Sequence, residues 1–158
     1  MANTQAICDS FRVDLLNGTH AFGPQGANGV RTVVTKDVFK AALFLATATI
    51  NRSTTVYAIT GEVTGTGYTA GGVTVTNATA PANTGGTGII AFWTPSAAFS
   101  WTGVTLSTAF DAVLLYNSSN TAQAAVAVFT FGSQTVTAGN FTLTMPTNDL
   151  TTGLLRLN

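Results

Sequence analysis

The sequence predicts an all-β domain, a jelly-roll-like β-sandwich with one short N-terminal amphipathic helix. Three observations lead there. Short apolar runs recur about every ten residues with turn residues between them, and no helical crossover separates them. Charged residues make up 8% of the chain against 46% hydrophobic, their place being taken by Thr, Ser, Asn and Gly. Helical spacing occurs once, at the start. At 158 residues the chain has the length of one ordinary domain. We read 1–158 as that domain, with a helix at 4–16 and a β-sandwich over 31–158 that carries loops at 57–72 and 81–88.

Taken in order, Ile7, Phe11 and Leu15 fall at i, i+4 and i+8, with Cys8 and Leu16 widening the stripe and Asn17-Gly18 supplying a stop. Asp9, Arg12 and Asp14 make the polar face of a helix packed on a sheet. After a break from His20 to Gly29, Arg31–Thr35 and Val38–Thr47 read as strands. Tyr57–Gly72 holds five glycines among threonines and reads as loop. Val73–Thr76 alternates as a strand, Pro81–Gly88 is a low-complexity loop, and Ile89–Trp93 resumes the sheet.

Phe99 and Trp101 share one parity and Val104 and Leu106 the other, so a β-bulge is expected at Gly103. Phe110–Tyr116 and Ala124–Phe131 are apolar on both parities, the mark of strands covered on both faces. A turn at Asn117–Asn120 joins them. Gly132-Ser133 is expected to break the chain before Gln134–Ala138, and Phe141, Leu143 and Met145 alternate with threonines as a half-exposed strand does.

Six basic residues balance six acidic ones, so there is no field to gather nucleic acid, and no apolar stretch has the length of a spanning helix. No nucleic-acid or membrane partner is expected. Met1–Gln5 has no basic region followed by an apolar run, so synthesis is expected to end in the cytoplasm. One cysteine excludes an intrachain disulfide and a Cys-based zinc site. One His, five Asp and one Glu, none paired at a motif's spacing, argue against an enzyme. No catalytic, cofactor-binding or metal-binding residue is assigned.

Several residues have a bland reading beside the sharp one. His20, in a Gly/Asn-rich turn, reads as a surface or helix-docking imidazole, and Cys8 as a core thiol. Glu62, the only Glu, reads as a loop carboxylate bonded to the glycine-rich backbone. Asp111 is expected in an ion pair with Arg12, Arg31 or Lys40, or at a strand edge. The Gly61–Gly67 run lacks the lysine and the helix that a phosphate loop needs. Candidate partner contacts lie on the irregular loops, at Glu62, Tyr68, Pro81 and Asn83, because loops on a rigid scaffold commonly carry binding.

The run Ser10–Phe22, then Phe39–Leu43, then Thr54–Tyr57 leading into Gly61–Gly72, resembles a family of small virion proteins of tailed bacteriophages. Ser107–Tyr116 and Phe131–Gly139 extend the resemblance over nearly the whole chain. It implies a non-enzymatic virion component made in the host cytoplasm, with no site residues to carry over. The leading expectation is a capsid decoration or cement protein that binds the phage major capsid protein and itself, as a trimer or dimer. A tail, fibre or head-tail connector component is the alternative. A carbohydrate-binding β-sandwich stacking sugars on Trp93, Trp101 and Tyr68 is a further one.

Overall fold

A computed structural model describes residues 2–22, 35–83 and 90–157. Its centre is a hairpin of two 19-residue strands, β5 (Phe99–Asn117) and β6 (Ala125–Leu143). The apolar runs that flank the Asn117–Asn120 turn pair directly, Leu114 with Val128 and Leu115 with Ala127. The turn closes because the Asn117 side-chain oxygen accepts the N–H groups of Ser119 and Asn120.

The remaining strands arrange themselves around this hairpin. Ahead of it in the chain come β1 (Ala6–Ile7), α1 (Asp9–Leu16), β2 (Phe39–Leu45), β3 (Val73–Thr74) and β4 (Ala91–Trp93); β7 (Leu155–Leu157) follows it. One antiparallel sheet has the order β1-β6-β5-β2-β3, and β4 with β7 forms a second, two-stranded sheet. The domain is all-β and sandwich-like. The two four-stranded sheets of a jelly roll do not appear among the described residues.

Cross-strand pairs share a face of the sheet. Lys40, Ala42 and Phe44 lie opposite Tyr116, Leu114 and Ala112, and that face is covered by the segment 57–72. Ala41 and Leu43, opposite Leu115 and Val113, share the other face with Phe39. There Phe39 meets Phe22 at 4.4 Å and Trp93 at 6.1 Å. Coverage on both sides is why β5 is apolar on both parities from Ala112 to Leu115, all of them buried.

Three expectations need correction. The helix begins at Asp9, not at residue 4, because the Cys8 N–H donates to Val126 O and Ala6–Ile7 pair with β6. A backbone already bonded to a sheet edge cannot enter a helix. Leu16 does not widen the buried stripe; it is 90% exposed. Gly132-Ser133 breaks no strand, since β6 runs through it as one of several register shifts against β5. The bulge at Gly103 is present, with φ +63° and a register shift between Trp101 and Val104. The expected strand at 31–35 falls outside the described residues except for Thr35.

Candidate interaction surface

The glycine-rich segment is bonded to the sheet along its length. Val63 N–H donates to Leu43 O and Leu45 N–H to Gly61 O, so the segment borders β2. Beyond the end of β2 it continues beside β5, where Thr105 N–H donates to Thr66 O. Side chains would block this approach: a methyl group on Gly65 would run into the Thr105 carbonyl, and one on Gly72 into that of Ala41. The glycines therefore serve close contact between backbones.

Glu62 holds the segment in place. It is 4% exposed and accepts hydrogen bonds from Tyr57 Oη at 2.5 Å, Tyr68 Oη at 2.6 Å and the Gly71 N–H at 2.8 Å. Tyr68 Oη in turn accepts the Leu43 N–H, and Tyr116 Oη donates to Gly71 O. Burial first, and Glu62 second, push the Tyr57 and Tyr68 phenols well above their ordinary range; the same two causes bring Tyr116 to about 12. The bond to glycine-rich backbone read from the sequence is there, and the tyrosines complete it. Glu62 thus faces inward and Tyr68 is half-buried, while Pro81 and Asn83 are exposed at the start of the second loop. Residues 84–88 of that loop lie outside the described residues.

The solitary reactive side chains are each enclosed. Cys8 is buried, and burial pushes its thiol up to about 12 with a further rise from Asp9. His20 docks under α1 against Phe11, its ring centroid 5.1 Å away. Asp111 departs from expectation: β5 is an interior strand, and the carboxylate accepts a bond from the Asn3 amide at 2.6 Å. Half-buried, it is matched by a neutral donor. Trp93 and Trp101 are 2% and 3% exposed, so neither offers a ring face for sugar stacking. Among the described residues, no group of three or more His, Cys, Asp or Glu could hold a metal, and no helix is long and apolar enough to cross a membrane.

A further uncommitted surface is one the sequence did not single out. Residues 55–57 border the start of β6, where Ala125 N–H donates to Thr55 O, and β1 borders Ala127 and Val128. From Phe129 to Leu143 the outer edge of β6 has no backbone partner among the described residues, and that stretch contains no charged residue. Phe131 and Phe141 beside it are half-buried and pack edge-to-face on Phe110, at 6.0 and 4.9 Å. Repeated register shifts kink the middle of this edge, whereas Phe141–Leu143 pair regularly with Phe99–Trp101. Its alternating pattern marked a half-exposed strand, but the free edge depends on where β1 stops.

Compared with family models, curated proteins and solved structures, the chain matches none.

Proposed function

We propose that this protein is a non-enzymatic structural component of a bacteriophage particle, a decoration protein that sits on the major capsid protein and associates with its own copies. One observation carries the assembly role: an uncharged strand edge about fifteen residues long whose backbone donors and acceptors have no partner among the described residues. Such an edge accepts another strand by main-chain hydrogen bonding. Pro81 and Asn83 offer a second, loop-borne contact. Low charge over the rest of the chain agrees with packing among uncharged neighbours, and the resemblance to phage virion proteins supplies the particle.

The position of the chain's density in an intact particle tests this. Many copies at repeated positions on the shell are expected. A few copies at one vertex would move the protein to the tail, fibre or connector, and absence from the particle would refute the reading.

A further inference from the structure

We propose that the His20 pocket is an acid-operated latch, in which a proton taken from solvent by His20 unlocks the turn between β5 and β6 through Asn117. This goes beyond the assembly role and does not depend on it.

The latch rests on an amide whose orientation is fixed at both ends. Asn117 is fully buried at the end of β5. Its Oδ1 accepts from Ser119 N–H at 3.0 Å and Asn120 N–H at 3.2 Å. Its Nδ2 donates to Asp37 Oδ2 at 2.7 Å and lies 3.1 Å from His20 Nδ1. Thr19 O lies farther from Nδ2, at 3.4 Å. With one amide hydrogen on Asp37, the other is shared between the imidazole and Thr19 O; a hydrogen on Nδ1 would face an amide nitrogen that accepts none, so Nδ1 is the acceptor and the ring carries its proton on Nε2. Nε2 faces Asp14 Oδ2 at 3.7 Å, too far for a hydrogen bond, and has no other partner among the described residues.

The surroundings of the ring set the balance. Among the described residues, the charged groups that face it are Asp14 from α1 and Asp37 from the segment entering β2; β2 itself presents Phe39 at 6.2 Å, and Phe22 lies at 6.3 Å. Burial disfavours the imidazolium more than the two carboxylates favour it, so the proton affinity of His20 falls below the ordinary value. Once Nδ1 is protonated, two donors meet across 3.1 Å. The amide relieves this by turning Oδ1 to the ring, which withdraws it from Ser119 and Asn120 and takes Nδ2 off Asp37, leaving that carboxylate to face the imidazolium. The turn is also tied to the segment entering β2, since Ser118 N–H donates to Val38 O and Val38 N–H to Ser119 Oγ. Opening it frees both. The imidazolium then lies between Asp14 and Asp37, so the acid state has its own ion pairs.

The sign follows from linkage. His20 is held neutral in the fold and has an ordinary value of 6.5 when unfolded, so the pocket's contribution is complete above about pH 6.5 and is lost as pH falls through the lower folded value.

His20 is the only histidine, so long-range ¹H–¹⁵N spectra read a single imidazole. The expected result is the Nε2–H form at neutral pH, and proton uptake in the same window in which the Ser119 and Asn120 amides lose exchange protection. In Asn117→Asp one carboxylate oxygen still caps the turn, and the other, placed beside Asp37 Oδ2 where the amide donated, adds a second negative charge facing the ring that a proton on His20 Nδ1 relieves. The His20 midpoint is then expected to rise by about one unit or more, with the turn protected in acid. In His20→Gln the turn should not respond between about pH 7 and pH 5, the range that histidine spans. An Nδ1–H form at neutral pH, a turn indifferent to His20 titration, or an opening that persists in His20→Gln would each overturn the latch.

Discussion

Replacing Gly72 by Ala tests whether the glycine-rich segment is held by backbone contact with β2. Gly72 has φ +72°, and an added methyl would overlap the Ala41 carbonyl oxygen while lying 2.5 Å from the carbonyl carbon and 2.6 Å from Ala42 Cα. These are backbone atoms of a strand paired on its other side to β5, so they cannot yield. A left-handed residue with a side chain costs about 1–2 kcal/mol and the overlap about 1–3 kcal/mol, or roughly 2–5 kcal/mol together. Relief requires lifting the segment, which breaks the pairing of Val73 with Ala41 and the Tyr116 bond to Gly71 O. At roughly 2–4 °C per kcal/mol for a chain of this length, the melting temperature should fall by roughly 4–20 °C. Gly132→Ala is the control: nothing lies within 4 Å of its added methyl, and a change within about 0.5 kcal/mol is expected. Thermal and urea unfolding followed by circular dichroism measure both. Equal stability of the two variants would refute the reasoning.

All three tyrosines are raised by burial and by Glu62, so no phenolate absorbance should develop up to about pH 11 while the fold persists; stability is complete below about pH 10 and is lost as pH rises past it. Ionisation near pH 10 with an intact circular dichroism spectrum would contradict the buried network. Cys8 should resist a thiol reagent at about pH 8, below even the free thiol's ordinary value, and react only after denaturant is added. Ala138 sits at φ +46°. Ala138→Gly should therefore gain up to about 1 kcal/mol in urea unfolding, the left-handed cost exceeding the entropy that glycine loses.

What was legible in the sequence was whatever local patterning decides. The Gly103 bulge followed from the parity change between Trp101 and Val104, and the doubly apolar strands from residues 110–116 and 124–131. The start of α1 was not legible, because Ile7 and Cys8 fit a helical stripe and only their pairing with residues 126–128 of β6, far away in the chain, claims them for the sheet. Asn117 looked like a turn residue and is one; its contact with His20 joins positions 97 residues apart. The partners of Glu62 were hidden in the same way, since Tyr57 and Tyr68 read as aromatics of a loop until the loop folds onto β2. Of the four candidate contact residues, Pro81 and Asn83 could be placed outside by their loop composition, whereas the direction of Glu62 depended on that folding.

The free edge of β6 yields the last prediction. Strand edges are ordinarily guarded by charge, proline or bulges, and here bulges guard the middle while Phe141–Leu143 stays regular and uncharged. Thr142 is exposed there, its hydroxyl 3.1 Å from that of Ser100. Association through this edge places no charges in opposition, so light scattering of the unmodified protein should give the same oligomer at low salt and at about 1 M salt, where the Debye length is about 3 Å. In Thr142→Lys, symmetry brings the new ammonium of each copy toward the shared strand pair, and like charges across a pair destabilise it. The variant should be more monomeric at low salt and recover association in high salt, with unchanged unfolding in urea. A wild-type oligomer that salt dissociates, or a Thr142→Lys variant that associates equally at low salt, would mean that copies of this chain meet elsewhere than at the β6 edge.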